Sequence, residues 1–278
     1  METIAIIGLG LIGGSIAKAV KNNSDIKVIG FDIDDETLFA AKELGAIDEV
    51  WDGHERLIVD LCVLALSPSA TIEFLKTNIN LIDKKAVITD VCGVKTAVVS
   101  ECVPICRAHG LEFIGSHPMA GKEFNGFKNS DAKLFHNASY IITPVEDTSK
   151  TAIDILKEFG RILKFRQFTV TTPQNHDRMI AFTSQLPHVL AGSYVKLPPC
   201  LEHHGYSAGS YKDVSRVATI DENLWSELFL LNKEEICSEI SGLISNLSEY
   251  LTAIENNDRE KLKKIIKKGR LIKEQDKK

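Results

Sequence analysis

No stretch of the 278 residues reaches the roughly eighteen consecutive apolar positions that a membrane span requires. The apolar run nearest the amino terminus, at Ile4, reads as a first strand rather than the core of a leader peptide, so a cytoplasmic protein is expected, with no membrane partner. Positive charge is not in excess. Lys and Arg number 33 against 38 Asp and Glu, a net charge of -5, which argues against a nucleic-acid partner because phosphate binders present a basic face. One basic stretch, 259–278, carries Leu262, Ile265, Ile266 and Ile272 at helical spacing and reads as an amphipathic helix with a solvated outer side. The six cysteines lack paired CxxC spacing, so free thiols and no metal site are expected, and Cys200 beside His203 and His204 reads as a polar loop. Repeats and low-complexity linkers are missing too. With 44% hydrophobic residues, the chain has material for two tightly packed domains and a cleft between them.

The strongest positive feature is Ile4-Ala5-Ile6-Ile7-Gly8-Leu9-Gly10-Leu11-Ile12-Gly13, an apolar strand running into a G-x-G-x-x-G turn. Gly8 suits a tight turn, Gly10 lets backbone approach a pyrophosphate, and Gly13 lets the next helix sit close to the sheet. The helix start then turns its N–H groups toward the phosphates. A second strand, Lys27 to Phe31, ends at Asp32, where a carboxylate accepts from ribose hydroxyls and repels a 2′-phosphate, so NAD is expected rather than NADP. The alternative for Asp32 is membership of the acidic run Asp34, Asp35, Glu36 that opens the next helix. Leu9, Leu11 and Ile12, within the turn, with Ser67 and Asp90, complete the expected cofactor contacts.

Strand and helix patterns alternate through residue 171, with strands expected at 4–8, 27–32, 61–66, 86–91, 111–115, 139–143 and 162–168. That alternation predicts an α/β class with a Rossmann-type dinucleotide-binding domain over 1–171. From Thr172-Pro173, a capping pair, the pattern turns helical, and an all-α domain for substrate binding and dimerisation is expected over 172–278.

Three segments carry candidate chemistry. His117, in Gly115-Ser116-His117-Pro118-Met119-Ala120-Gly121-Lys122-Glu123, leaves the carboxyl end of a strand, the edge where open α/β sheets place ligands. A neutral imidazole there takes the proton of an alcohol as hydride departs; a structural loop histidine is the alternative. His176-Asp177 precedes Gln185-Leu186-Pro187-His188 by twelve residues, which on a regular helix sets the two histidines about 120° apart. Pro187 is expected to kink the helix and redirect His188. Lys212 and Arg216 stand four apart after Gly209-Ser210; a planar guanidinium suits a carboxylate ligand, and an ion pair with Asp213 or Glu222 is the alternative.

Taken together the glycine turn, H-P-M-A-G, L-P-H, the Arg216 segment and Trp225 resemble the prephenate dehydrogenase family over nearly the whole chain. The resemblance implies NAD-dependent oxidative decarboxylation of prephenate in tyrosine biosynthesis. It implies His117 as the catalytic base, with Arg216 holding a substrate carboxylate and His188 in the same pocket. Glu123, Lys212 and Ser116 are expected around the substrate, and Trp225 matches a tryptophan that approaches the neighbouring subunit's site, implying a homodimer. Arogenate dehydrogenase shares this chemistry, and an NAD-sensing protein without turnover is the reading from another class. The sequence departs from the family at Asp90-Val91-Cys92-Gly93-Val94-Lys95, where Gly93 replaces a serine that orients the histidine or substrate. Ser116, Cys92 or a water is the expected substitute. Neither a chorismate mutase segment nor a βαββαβ-like regulatory module is expected.

Overall fold

The computed structural model describes residues 1–122 and 124–276, which form two compact units, Met1–Asn232 and the chain from Lys233.

The first unit is built on eight strands: β1 (Thr3–Ile7), β2 (Lys27–Phe31), β3 (Glu49–Val50), β4 (Leu61–Leu64), β5 (Val87–Asp90), β6 (Glu112–Pro118), β7 (Ser139–Thr143) and β8 (Gln167–Val170). Their order in the sheet is β3-β2-β1-β4-β5-β6-β7-β8, and every pairing is parallel except β6 with β7. The first six strands have the doubly wound order in which ligands bind at the carboxyl ends of β1 and β4, where the winding reverses. The central strands β1, from Ile4, and β4 are apolar without interruption because both faces are covered. Along β1, Ile4 and Ile6 enter one core while Ala5 and Ile7 enter the other; Leu61 and Val63 of β4 alternate with Cys62 and Leu64 in the same way.

Helices α1 (Leu11–Asn23), α2 (Asp35–Glu43), α3 (Pro68–Asn78), α4 (Thr96–Ala108) and α5 (Lys150–Ile162) connect the strands. Asp34, Ser67 and Ser149 cap α2, α3 and α5 through their side chains. Three strands differ from the sequence reading. β6 runs on to Pro118, so His117 lies within the strand, paired with Ile141 of β7, rather than beyond its end. Glu49–Val50 forms an edge strand too short to carry a period, and β8 starts only at Gln167 because α5 runs to Ile162 and Lys164 turns with φ at +65°.

After β8, Thr172 caps α6 (Pro173–Ile180), which continues as a π-helical stretch, Ala181–Gln185, into α7 (Leu186–Tyr194). Then come α8 (Gly209–Ser215), a 3₁₀ turn at Arg216–Ala218 and α9 (Glu222–Leu231), capped by Asp221. The second unit holds α10 (Lys233–Glu255) and α11 (Arg259–Gln275), the latter capped by Asp258. No helix of the described residues is long and apolar enough to cross a membrane.

Candidate active site

The glycine turn fits a dinucleotide through its backbone. Gly8 has φ +90°, and a side chain there would strike the Ala65 carbonyl. A Cβ on Gly13 would lie 1.8 Å from the Gly8 oxygen, so only glycine lets α1 close on the turn. A Cβ on Gly10 meets nothing within 4 Å, which leaves open space above the helix start. Asp32 is anchored beside the turn: its Oδ2 accepts from Leu9 N–H at 2.6 Å and its Oδ1 from Asp34 N–H at 3.0 Å. Gly10 provides no side-chain cap, and the N–H groups of Leu11, Ile12 and Gly13 face the end of the helix, as first-turn amides do. Leu9, by contrast, spends its N–H on Asp32.

Two of the expected contacts are placed elsewhere. Asp90 has no exposed surface; its carboxylate pairs with Lys95 and accepts from Cys92 N–H and Ser116 N–H, so it supports the site from beneath rather than touching a cofactor. Ser116 is equally buried, because successive β6 residues point to opposite faces. Its hydroxyl donates to the Asp90 carbonyl at 2.7 Å and takes hydrogen bonds from Tyr140 and Thr89, away from any substrate. Ser67 caps α3, its Oγ 3.4 Å from Ala70 N.

His117, the next residue on β6, faces a cavity of about 380 Å³ together with Lys122, His188, Arg216, Asp221 and Trp225. Lys212 does not line it. Helix α8 ends at Ser215, and Arg216, still in helical geometry with its N–H bonded to the Lys212 carbonyl one turn back, begins the 3₁₀ turn; of the two cations only Arg216 reaches the cavity. Glu123 lies outside the described residues. Trp225 packs against His188 of its own chain, ring centroids 3.8 Å apart and planes tilted by 52°, so here the tryptophan shapes the pocket of the subunit that carries it.

The sequence reading missed what orients His117. Its Nδ1 lies 2.9 Å from His176 Nε2, and His176 Nδ1 lies 2.7 Å from Asp177 Oδ1. Asp177 also accepts from Lys95 N–H and Thr96 N–H, each at 2.7 Å. A carboxylate that accepts only makes His176 Nδ1 the donor, so His176 Nε2 accepts and His117 Nδ1 donates. The Nε2 of His117 is therefore left with its lone pair. Burial, His176 and Lys95 together hold the His117 pKa well below the usual imidazole value. Burial also lowers His176, against the pull of Asp177. Burial works to raise the Asp177 carboxyl, yet the hydrogen bonds from His176, Thr96 and Lys95 outweigh it and the net shift is downward. All three groups thus sit in the protonation states this chain of bonds needs at neutral pH. The family serine missing at Gly93 is not replaced by Ser116 or Cys92, whose polar atoms are bonded elsewhere; His176 orients the His117 ring.

His188 reaches the pocket because of the π stretch. One residue taken up by a π turn leaves eleven regular steps between His176 and His188, which is about 20° around the helix instead of about 120°. Leu186 N–H bonds back five residues to Ala181, so the missing α bond of Pro187 is absorbed by the π geometry. His188 Nδ1 donates to the Val217 carbonyl at 2.7 Å, tying α7 to the Arg216 turn.

Among the described residues no group of three or more His, Cys, Asp and Glu is arranged to hold a metal ion. Cys62 and Cys106 are buried, which pushes each thiol up to about 12.

A neutral imidazole poised beside a dinucleotide cradle serves the removal of hydrogen from a carbon that carries a hydroxyl, and fold and site together define a nucleotide-dependent dehydrogenase. The comparisons narrow the class. The prephenate dehydrogenase nucleotide-binding domain profile matches residues 16–167, and the prephenate dehydrogenase dimerization domain profile matches 172–268. The chain belongs to the prephenate dehydrogenase family. It is 33% identical to the prephenate dehydrogenase of Bacillus subtilis (strain 168), over 96% of this chain and 74% of the relative. It is 31% identical to the cyclohexadienyl dehydrogenase of Zymomonas mobilis, over 92% of this chain and 89% of the relative. A crystal structure of prephenate dehydrogenase from Aquifex aeolicus, in complex with hydroxyphenyl propionate and NAD+, superposes with a TM-score of 0.88 at 28% identity, covering 99% of this chain and 98% of that one.

Proposed function

We propose that the protein oxidises prephenate with NAD to 4-hydroxyphenylpyruvate and carbon dioxide, a step of tyrosine biosynthesis. The carrying observation is the His117 Nε2 lone pair, set by His176 and Asp177 within a cavity that also holds Arg216. Leu11, Ile12 and Gly13 would hold the NAD pyrophosphate through backbone N–H groups, and Asp32 the ribose. Bound NAD supplies the hydride acceptor for the ring carbon that bears the hydroxyl, and the ring becomes aromatic as its carboxylate leaves as carbon dioxide. His117 draws the hydroxyl proton as charge builds on that oxygen and returns it to the phenol, so no proton is lost overall. Arg216 grips a carboxylate of the dianionic substrate, while His188 and Trp225 shape the wall.

Lys122, its ammonium 3.4 Å from Asp131, and Asp221 both line the cavity, so the choice between prephenate and arogenate falls to assay. The test is NAD reduction followed with prephenate and arogenate in parallel and repeated with NADP. Turnover of prephenate with NAD is the expected result; turnover of arogenate alone transfers the mechanism to that substrate, and silence with both overturns the reading.

Two variants probe the binding roles. Arg216→Ala is expected to raise KM for prephenate about 10- to 100-fold, the loss of a charge-assisted hydrogen bond, with kcat little changed. A collapse of kcat at unchanged KM sinks the carboxylate role. Asp32→Ser is expected to raise KM for NAD about tenfold and to admit NADP, since the repelling carboxylate is gone and the Leu9 N–H loses its acceptor. Unaltered cofactor preference would place the ribose elsewhere.

We further assign 1–171 to the nucleotide and 172–278 to substrate and dimerisation. Within the second unit Ile244, Leu247, Leu251 and Ile254 stand exposed at spacings of three and four, an apolar stripe suited to a second copy of the chain in a cytoplasmic homodimer.

A further inference from the structure

Lys95 is a lysine with no exposed surface. Burying an ammonium costs several kcal/mol unless it is paired and fully hydrogen-bonded, so such a group is retained where it specifies an arrangement. Its ammonium pairs with Asp90 and donates to the Ser116 carbonyl at 2.7 Å, on the main chain immediately before His117. Its backbone N–H donates to Asp177 Oδ1 at 2.7 Å, the atom that also receives His176 Nδ1. We propose that Lys95 is the positioning residue of the active site, holding with its ammonium the strand that carries His117 and with its own N–H the His176–Asp177 pair that orients the His117 ring.

Two further observations carry the same reading. The lysine stem runs through a slot that exists only because residue 115 is glycine: a Cβ there would lie 3.3 Å from Lys95 Cδ, 2.8 Å from Val99 Cγ2 and 2.5 Å from Thr143 Oγ1. And Asp90, Lys95's counter-ion, accepts from Ser116 N–H through its other oxygen, so cation and anion grip the two sides of one peptide-bearing residue. Lys95 thus ties β5 to β6 through its ion pair and the start of α4 to α6 through its backbone N–H, the elements whose relative placement sets the 2.9 Å contact between the histidines.

The groups around His117 are His176 and Asp177 on α6, Lys95 and Asp90 beneath it, and Lys122, His188, Arg216 and Asp221 across the cavity. Lys95 adds positive charge close to the imidazole, so removing that charge should let His117 protonate more readily, most in the single variant, where Asp90 keeps its own charge. The inference rests on His117 being the base, and its test is read both with and without turnover. The charge-neutral double variant Asp90→Asn with Lys95→Met, and the single variant Lys95→Gln, are compared with the parent enzyme. Expected in folded protein, checked by thermal melting, is a kcat lower by about 10- to 100-fold with KM for NAD unchanged. The acid limb of kcat/KM, and the His117 imidazole titration followed by NMR, should move up by about one pH unit. A His117 titration unmoved in whichever variant folds overturns the proposal. So does a parent His117 ring that carries its proton on Nε2 rather than Nδ1, read by nitrogen-15 NMR without any variant. A parent enzyme silent toward prephenate whose His117 titration still moves would instead overturn the substrate reading and leave the clamp standing.

Discussion

Replacing His117 with asparagine is expected to lower kcat by about 10²- to 10⁴-fold, the range for loss of a positioned general base, with little change in KM. The asparagine amide can still accept from a substrate hydroxyl, so the substrate stays oriented, but it cannot carry the proton as negative charge develops. The parent enzyme's pH profile belongs to the same expectation. The base works only when neutral, and burial, His176 and Lys95 all favour the neutral form. The acid limb of kcat/KM therefore lies well below the usual imidazole pKa, and activity persists as pH falls through the range where an exposed histidine would already be protonated. An acid limb at the ordinary imidazole value, or an asparagine variant with unchanged kcat, removes His117 from the proton transfer.

Asp177→Asn is expected to be nearly as damaging, about 10²- to 10⁴-fold in kcat, although residue 177 never approaches the substrate. Oδ1 of Asp177 accepts from both Lys95 N–H and His176 Nδ1, and Oδ2 from Thr96 N–H. An amide offers one acceptor oxygen and one donor nitrogen. With the oxygen in the Oδ1 place, Lys95 N–H and His176 Nδ1 keep their acceptor but the NH₂ group opposes Thr96 N–H and the carboxylate charge beside His176 is gone; with the oxygen toward Thr96, the NH₂ group opposes Lys95 N–H and faces His176 Nδ1, which then becomes the acceptor. In that second placement His176 Nε2 carries the proton and donates to His117 Nδ1, and the His117 proton moves to Nε2, the nitrogen that has to be bare. The tautomers of both rings then invert through a single distant substitution, the same consequence that amidation of the buried aspartate has in the serine protease triad. Nitrogen-15 NMR of the two imidazoles reads it directly. Unchanged tautomers accompanied by full activity would show that the pair is structural.

The parts of this site that were legible in the sequence are those whose chemistry is local. Gly8, Gly10, Gly13 and Asp32 lie within twenty-five residues, and each demand is made on the backbone next to it. His117 was legible as well, because a histidine near the carboxyl end of an apolar strand stands at the sheet's ligand-bearing edge. Arg216 was legible through its residue type and its spacing, since it caps α8 one helical turn after Lys212. What escaped was long-range pairing between side chains. His117 and His176 are 59 positions apart, and Lys95 and Asp177 are 82 apart; neither spacing leaves a periodic trace. His176-Asp177 stood in view as a motif, yet its direction depended on which way α6 faces. Ser116 and Asp90 were assigned to ligands they cannot reach because polarity near a site was read without strand alternation, which sends Ser116 inward wherever His117 goes outward. Lys95 ran against composition itself, since a lysine is the residue least expected at zero exposure.

The stretch Ala181–Gln185 gives the helix after β8 one residue more than regular coiling would use. That surplus works as an angular offset. Everything beyond it, His188 and through the Val217 carbonyl the turn of Arg216, is dialled about a quarter-turn or more from where an uninterrupted helix would aim it. Shortening the segment by one residue would remove the π turn, leave the gap at Pro187 unabsorbed, and so swing the pocket wall away from His117. The count of residues between His176 and His188 is thus itself a determinant of the site, one that no side chain carries.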